Sequence, residues 1–359
     1  MSDRRITIIA EAGVNHNGSL QRALTLVDAA AEAGADVVKF QTFKATSLAS
    51  RKAPKAEYQT RNTSAEISQL EMLQALELTV ADHEAIIAHC TKRGIAFLST
   101  PFDPESLALL AGRFGLPVIK LGSGELTNGP LLLQAARTGR KLIVSTGMGS
   151  LEEVRAALGV LAFGFVGIGP PGMQAFAKAF GSEEGQAALC AHVTLLHCTT
   201  EYPAPLADIN LRAMDTLRKT FGLATGYSDH GEGIAIAIAA AARGAAVIEK
   251  HFTLDRNLPG PDHQASIEPP DLRAMVTSIR AVEIALGDGL KAARPSEVAN
   301  MAVARKTLVA ARDLAEGHRL AAADIDVLRA GTGLSPMRYW DMIGTATRRA
   351  LKTGEPLEP

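Results

Sequence analysis

Short apolar segments that end in polar residues recur eight times in this chain, and helix-length segments separate them. The apolar segments are Ile6–Ala10, Asp36–Phe40, Ile95–Ser99, Val118–Leu121, Lys141–Val144, Val193–Leu196, Leu223–Gly226 and Ala245–Ile248. None lies close enough to the next to form a hairpin, so we expect parallel strands joined by helical crossovers. Eight such units predict an α/β fold of the (β/α)8 TIM-barrel type, with a doubly wound open sheet as the alternative.

The chain changes character after Ala285. Two glycines and a proline interrupt the helical pattern, which predicts a linker over residues 286–300. Residues 301–359 are short β-like pieces and turns, typical of a small β-rich module of marginal size for folding alone. The barrel domain is therefore expected over residues 1–285.

Within the barrel domain, the polar segment Phe43–Asn62 is too long for a plain connection between strand and helix. Its length predicts a functional or disordered loop.

Composition argues against several classes of partner. Lys and Arg number 37 against 38 Asp and Glu, so no bulk field favours nucleic acid or an anionic membrane. The three cysteines form no CxxC pair and no disulfide framework, which indicates a reducing compartment. The N-terminal apolar run is too short for a signal peptide, and the window Ile234–Ala242 is too short to span a bilayer. We expect a cytoplasmic protein.

Every predicted strand ends in polar side chains. In parallel barrels the carboxyl ends of the strands form the active face. The polar residues there are Glu11, Lys39, Gln41, Ser99, Thr100, Lys120, Ser123, Glu125, Ser145, Thr146, His197, Thr199, Thr200, Ser228, Asp229, His230, Glu249, Lys250 and His251. A barrel with only a structural role would not need polar groups at all eight ends, so this convergence predicts an enzyme.

Two of these residues, His230 and His251, follow the last two predicted strands. The segment between them, Gly233–Arg243, is rich in Ala and Ile and long enough for a crossover helix. A parallel βαβ unit brings both imidazoles to the same end of the sheet. Imidazole is a common ligand of divalent transition metals, so the pair predicts a metal site, although a single histidine is more often structural.

Lys39 and Lys120 each follow apolar strand residues, and glycine and serine residues are close by in sequence. This arrangement suits an anion such as phosphate, the alternative being lysines that reach the surface. No P-loop pattern appears, which argues against nucleotides. Glu11 is a candidate general base or metal neighbour, or else an ion-pair partner of one lysine. Glu125 and Asp262 are candidate hydrogen-bond acceptors for a polyol.

Taken together, the motifs resemble the sialic acid synthase family. They are AEAGVNHNGS, ADVVKFQTFKA, STPFD, KLGSGELTN, STGM, LLHCTTEYPAP, GYSDH and VIEKHFTLDRNLPGPDHQASIEP, and the tail RKTLVAARDLAEGHRL…VLRAGTGLSPMRYW resembles the antifreeze-like (SAF) domain. The resemblance implies a TIM barrel followed by an antifreeze-like domain, in a domain-swapped homodimer. It also implies condensation of phosphoenolpyruvate with an N-acetylated hexosamine, giving a nine-carbon 2-keto sugar acid and phosphate. The expected cofactor is a divalent metal, Mn²⁺ foremost and Mg²⁺ or Co²⁺ otherwise.

The resemblance also implies a role for individual residues. His230 and His251 match the metal ligands, and Glu11 matches a catalytic carboxylate that moves a proton to or from water. The positions that match the phosphoenolpyruvate site are Lys39, Thr100, Lys120, Ser123, Ser145 and Ser228. Those that match the sugar site are Gln41, Phe102, Glu125, Tyr202 and Asp262, with Arg329 from the partner's tail over the N-acetyl group.

The identity of the sugar is left open by the resemblance. Our first expectation is N-acetylneuraminate synthase acting on N-acetylmannosamine, and the alternative is N,N'-diacetyllegionaminate synthase acting on 2,4-diacetamido-2,4,6-trideoxymannose. The sequence TTEYPAP at residues 199–205 favours these two synthases over pseudaminate synthase.

Three features depart from the family pattern or mark a subgroup. They are Thr200 in place of asparagine, Ala330 in place of proline, and the insertion Leu151–Leu189.

Two further hypotheses compete with the synthase. A barrel that condenses phosphoenolpyruvate with an aldose phosphate would need a second basic cluster, and none is evident beyond Lys39 and Lys120. A binding module with an inert barrel is disfavoured by the presence of both histidines, both lysines and Glu11.

Overall fold

A computed structural model describes residues 5–48 and 68–358 of the chain. The chain divides into two compact units, Met1–Gly287 and Asp288–Pro359. Most of the polar segment predicted to be a long loop, Phe43–Asn62, lies outside the described residues. Its beginning forms a short helix, Ala45–Leu48.

The first unit is an eight-stranded parallel barrel, so the predicted TIM barrel is confirmed. The neighbour order is β3-β2-β1-β8-β7-β6-β5-β4, and β3 also lies against β4, which closes the cylinder. The strands are β1 (Thr7–Gly13), β2 (Val37–Thr42), β3 (Ala96–Pro101), β4 (Val118–Leu121), β5 (Lys141–Ser145), β6 (Val193–His197), β7 (Ala224–Asp229) and β8 (Val247–His251).

Several strands run further than the sequence predicts, among them the last two. Strand β7 continues to Asp229 and β8 to His251, and Ser228 pairs with Glu249 in this extension. On its other side β8 pairs with β1, where His251 lies opposite Glu11. Three polar strand ends are thus fixed side by side by backbone hydrogen bonds, which suits a site that needs precise geometry.

Helices surround the barrel. They are α1 (Leu20–Ala33), α2 (Ala45–Leu48), α3 (Gln69–Leu76), α4 (Val80–Arg93), α5 (Pro104–Ala108), α6 (Gly129–Arg137), α7 (Leu151–Val166), α8 (Met173–Gly181), α9 (Glu183–His192), α10 (Leu206–Ile209), α11 (Ala213–Phe221), α12 (Ala235–Ala242) and α13 (Pro269–Leu286). Helix α1 ends at Gly34, whose φ of 83° is left-handed and favours glycine. The insertion Leu151–Leu189 forms α7, α8 and most of α9.

Apolar side chains fill the barrel and its surroundings. Inside the cylinder the buried residues Ile9, Leu98, Ile143, Leu196 and Val247 pack together. Two larger clusters lie between the strands and the outer helices. The interior is narrow at β7, where a Cβ on Gly226 would lie 2.3 Å from the Val247 carbonyl oxygen, which explains the glycine there.

The second unit contains a two-stranded antiparallel sheet, β9 (Thr307–Ala310) and β10 (Ile325–Leu328). Leu308, Leu314 and Ile325 belong to its own buried apolar core. Part of the predicted linker 286–300 is helical, because α14 (Pro295–Ala304) starts with a favourable proline and continues with helix-forming residues. A short helix α15 (Tyr339–Met342) follows.

In the described residues, no helix has the length and apolarity needed to cross a membrane.

Candidate active site

A buried ion cluster lies at the carboxyl ends of β1, β2 and β8. The Lys39 ammonium is 2.7 Å from Glu11 Oε2 and 3.4 Å from Glu249 Oε2. It also donates a hydrogen bond to Thr100 Oγ1 at 3.2 Å. The side chains of Lys39, Glu11 and Glu249 are at most 4% exposed, so each charge depends on the others for compensation.

Glu249 connects this cluster to the second predicted lysine. Its Oε1 lies 3.6 Å from Lys120 Nζ and accepts a hydrogen bond from the Ser228 hydroxyl at 2.9 Å. Lys120 in turn donates to Ser145 Oγ at 2.7 Å. Both lysines are therefore held beside one shared carboxylate, with serine and threonine hydroxyl groups around them. This arrangement places two ammonium groups and several hydroxyl donors where an anion could bind.

Sequence reasoning assigned no role to Glu249, although it belongs to the polar end of its strand. The available signal was its spacing from His251. Residues two apart on a strand point to the same face, so a histidine placed in the barrel mouth brings Glu249 with it.

The two carboxyl groups of the cluster titrate in opposite directions. Burial raises the pKa of Glu11 to about 7 despite the neighbouring Lys39 ammonium. Burial also opposes the charged form of Glu249, but Lys120 and Lys39 outweigh it and lower the pKa of Glu249 to about 2. One carboxylate is thus permanently charged, while the other can exchange a proton near neutral pH, as expected for an acid–base group.

The two predicted metal ligands lie together at the same mouth of the barrel. The ring centroids of His230 and His251 are 5.5 Å apart. His230 Nδ1–H donates to the Thr199 carbonyl oxygen at 2.7 Å, which leaves the lone pair of Nε2 facing the site. Burial lowers the pKa of His230 to about 4 and that of His251 well below its usual value. Both rings are therefore neutral, the form that binds metals.

These residues fit a divalent cation with two protein ligands. Nδ1 of His251 is buried and has no hydrogen-bond partner among the described residues. Within residues 5–48 and 68–358, no group of three or more His, Cys, Asp or Glu side chains is arranged to hold a metal. Any ion bound here would take its remaining ligands from water and substrate, as a catalytic metal requires. The metal site itself stays a prediction.

Tyr202 and Ser123 extend the site on two sides. The Tyr202 ring stacks on His230 with centroids 4.3 Å apart, and its hydroxyl lies 3.4 Å from His230 Nε2. Ser123 Oγ accepts from the Gly147 N–H and lies 3.1 Å from Cys198 Sγ. A Cβ on Gly147 would lie 2.3 Å from Thr200 Oγ1, so only glycine allows the hydroxyl and thiol groups to come this close to the backbone.

The other predicted residues make no hydrogen bond to this network within the described residues. Gln41 Nε2 and Glu11 Oε1 both lie beside Gly13, whereas Glu125 accepts a hydrogen bond from Asn128 at 2.6 Å. Phe102 packs edge-on against Phe43. Asp262 is buried in the segment after β8, and Arg329 is an exposed residue of the second unit. The roles proposed for these residues in sugar binding stay predictions.

A second buried ion pair, Asp229 with Lys250, stabilises the strands that support the histidines. The two groups are 3.0 Å apart and both side chains are 0% exposed. Lys250 also donates to the Gly231 carbonyl, and Asp229 accepts from the Gly231 N–H. Each residue directly precedes one of the histidines, so the pair fixes the backbone that carries them.

We expect Lys250→Met to lower the free energy of unfolding by about 3–5 kcal/mol, because the Asp229 charge would stay buried without its partner. Urea denaturation measures this change. Lys352→Met is a matched control, because it removes only an exposed ion pair with Asp313 and should change stability little. Equal effects of the two substitutions would contradict the prediction.

Comparison with known proteins places this architecture in a family. The sequence profile of the NeuB family matches residues 26–291, and that of the SAF domain matches residues 305–359. The N,N'-diacetyllegionaminic acid synthase of Campylobacter jejuni is 46% identical over 352 residues, 98% of this chain and 98% of that protein. Its namesake in Legionella pneumophila is 43% identical over 350 residues, 98% of this chain and 92% of that protein.

A solved structure agrees with this assignment. The N-acetylneuraminic acid synthetase of Leptospira borgpetersenii, crystallised with citrate, is 30% identical. It superposes with a TM-score of 0.66 over 82% of this chain and 90% of that chain. The resemblance to sialic acid synthases inferred from the motifs is thereby confirmed, and the chain belongs to the NeuB family, with a SAF domain at its C-terminal end.

Proposed function

We propose that this chain is an N,N'-diacetyllegionaminate synthase, a transferase that joins phosphoenolpyruvate to 2,4-diacetamido-2,4,6-trideoxymannose. Two relatives above 40% identity that align over nearly the whole chain have this activity in their names. N-acetylneuraminate synthase, our first expectation, becomes the second candidate. The N-acetylneuraminic acid synthetase of Leptospira borgpetersenii is only 30% identical to this chain, below the two legionaminic acid synthases. The structural observation that supports the chemistry is the pair of buried lysines around Glu249, next to two neutral imidazoles.

In this proposal, phosphoenolpyruvate binds with its negative charges at Lys39 and Lys120. The hydroxyl groups of Thr100, Ser145 and Ser228 already contact these two lysines or their shared carboxylate. Ser123 would add a further donor. Buried, preorganised donors stabilise an anion far better than flexible surface groups, because they need no reorganisation when the ligand binds.

The reaction forms one C–C bond and replaces the C2–O bond to phosphate with a C2–O bond to the oxygen of water. C3 of phosphoenolpyruvate attacks the aldehyde carbon of the open-chain sugar, whose oxygen takes up a proton. Water adds to C2 and gives a proton to the Glu11 carboxylate, which its raised pKa suits. In the resulting intermediate, C2 carries both a hydroxyl and the phosphate. Cleavage of the C2–O bond to phosphate releases phosphate, which takes up the proton of the C2 hydroxyl, and leaves the 2-keto acid.

A divalent cation held by His230 and His251 would polarise the sugar aldehyde as a Lewis acid. Manganese is the ion we expect, with magnesium or cobalt as alternatives. The neutral state of both imidazoles and the unpartnered Nδ1 of His251 support this assignment.

The sugar would contact Gln41, Phe102, Glu125, Tyr202 and Asp262. For the C-terminal unit we propose a domain-swapped homodimer, in which Arg329 meets the N-acetyl group of the sugar bound by the other subunit. Arg329 is exposed, and in the part of the chain that the structure describes it makes no hydrogen bond or ion pair. An acetamido carbonyl would give its guanidinium an acceptor.

An acceptor panel tests the choice of sugar. N-acetylmannosamine, 2,4-diacetamido-2,4,6-trideoxymannose and the altrose isomer of the latter are each supplied with phosphoenolpyruvate and Mn²⁺, and phosphate release is measured. We expect the diacetamido trideoxymannose to show a kcat/KM at least about tenfold above the others, because a site built for one substituent rejects an analogue that lacks it. A preference for N-acetylmannosamine would instead identify an N-acetylneuraminate synthase.

A further inference from the structure

The turn that follows β1 contains side chains that do not contact the ion cluster. Instead, Asn15 reaches the segment after β8, here called the β8 loop and defined as residues 252–267. Asn15 Nδ2 donates to the Phe252 carbonyl at 2.8 Å and to Ser266 Oγ at 2.9 Å. The side chain is buried, and its Oδ1 has no partner among the described residues. The amide orientation is nevertheless fixed, because a flipped Asn15 would set its oxygen against the Phe252 carbonyl.

Ser266 passes this restraint on to Asp262. Its hydroxyl accepts from Asn15 and donates its own proton to the Asp262 carbonyl at 2.7 Å. Asn15, Ser266 and Asp262 are all buried, at 1%, 2% and 7% exposure. A hydrogen bond shielded from water holds its geometry more firmly than an exposed one. The backbone position of Asp262 is thereby tied to the end of β1.

A parallel restraint holds the neighbouring part of the same loop. Asn17 donates to the Pro259 carbonyl at 2.5 Å and lies 3.1 Å from His263 Nε2. His263 is fully buried, and its Nδ1 lies 2.6 Å from the Thr253 hydroxyl. Asp262 thus lies between two segments that the β1 turn fixes.

The Asp262 carboxylate itself has no hydrogen bond within residues 5–48 and 68–358, although the side chain is more than nine-tenths buried. Burial raises its pKa to about 6. The carboxylate oxygens are not fully enclosed, so a bound sugar could reach them. A largely buried carboxylate without a protein partner gains a hydrogen bond when a ligand supplies the donor. The fold therefore fixes the backbone of a residue whose side chain still lacks a partner.

We propose that Asn15 is a positioning residue for the sugar acceptor, acting through Ser266 to hold Asp262 where its carboxylate meets a hydroxyl or amide group of the sugar. This inference rests on the proposed function, because it assigns Asp262 to the acceptor and not to phosphoenolpyruvate. Asn15 contacts neither substrate in this account. Its effect is on the acceptor alone.

The test compares Asn15→Ala, Ser266→Ala and the double variant, using the sugar that the wild-type enzyme prefers. Each single change is expected to raise the KM for the sugar about tenfold, the effect of one lost hydrogen bond, and to leave the KM for phosphoenolpyruvate unchanged. Because both residues act through one chain of hydrogen bonds, the double variant should be little worse than either single variant. Asn257→Ala is the matched control, since Asn257 is an exposed residue of the β8 loop whose hydrogen bonds within the described residues all go to Asp255.

Hydrogen exchange by mass spectrometry provides a second readout that needs no turnover. Asn15→Ala and Ser266→Ala should accelerate amide exchange in the β8 loop, and Asn257→Ala should not alter the amides around Asp262. Equal increases in KM for both substrates, additive effects in the double variant, or faster exchange with an unchanged sugar KM would overturn the inference. If the wild-type enzyme converts no sugar of the panel, the proposed function itself fails, which is a distinct result.

Discussion

His251→Ala is expected to abolish metal-dependent turnover, with kcat lowered by about 10³-fold, since several kcal/mol of Lewis-acid stabilisation would be lost. The reason lies in the small number of ligands. The rings of His230 and His251 lie together at the mouth of the barrel, and within the described residues no further group completes a three-residue metal cluster. Losing one of the two proposed ligands would remove half of the protein's hold on the ion.

Two measurements check this prediction. Phosphate release gives the activity, and titration of free Mn²⁺ followed by electron paramagnetic resonance gives the affinity for the metal without any turnover. His89→Ala is the matched control, because His89 lies on helix α4 and bonds to Asp28 on the outer surface. Wild-type Mn²⁺ affinity in His251→Ala would contradict the assignment of the metal site.

Glu11→Gln is expected to lower kcat by about 10²- to 10⁴-fold, the usual contribution of a positioned proton acceptor. Glutamine keeps the shape of the side chain but cannot accept the proton from water. Lys39 would retain Glu249 as a charged neighbour at 3.4 Å, so the anion site should survive. The measurement is kcat together with the KM for phosphoenolpyruvate, and a large rise in KM with unchanged kcat would contradict a role in proton transfer.

The same residue predicts a pH dependence. Because burial raises the pKa of Glu11 to about 7, and its ionised form accepts the proton, kcat/KM should increase with pH through about 7. The residual kcat/KM of Glu11→Gln should not increase with pH in this range. A wild-type kcat/KM that stays constant between pH 6 and 8 would contradict the assignment of Glu11 as the proton acceptor.

The contribution of Glu11 to the free energy of unfolding should decrease as the pH rises, whereas kcat/KM should increase. The folded pKa of Glu11, about 7, lies above its ordinary value of 4.5, so the folded state binds the proton more tightly than the unfolded state. The stabilisation from this proton is fully present below pH 4.5 and is lost as the pH rises through about 7. Glu11→Gln cannot titrate, so the difference in stability between wild type and variant should change over this interval.

The sequence predicted the barrel well because its signals are local. Each strand is a short apolar segment followed by a turn, and the apolar side chains form the interior and the outer core. Strands β7 and β8 run further than expected because Asp229 and His251 are polar and yet buried. Strand rules assign buried positions to apolar residues, so a polar residue at an active-site mouth ends a predicted strand too early.

The site was predictable in its residue types but not in its pairings. Lys39 and Lys120 were expected to bind an anion, and both lie in the mouth of the barrel. That they share Glu249 depends on the closure of three strands around one point, which no local pattern encodes. The link from Asn15 to Asp262 is harder still to foresee, because it joins residues that are nearly 250 positions apart through an intervening serine.

The most direct test of the central claim is the stoichiometry of the reaction. Enzyme loaded with Mn²⁺ is supplied with phosphoenolpyruvate and 2,4-diacetamido-2,4,6-trideoxymannose, and phosphate and the nine-carbon acid are quantified together by ³¹P and ¹H NMR. We predict one phosphate for each molecule of sugar acid, and none when either the sugar or the metal is omitted. Phosphate release without the sugar, or a sugar acid that forms without phosphoenolpyruvate, would contradict the account.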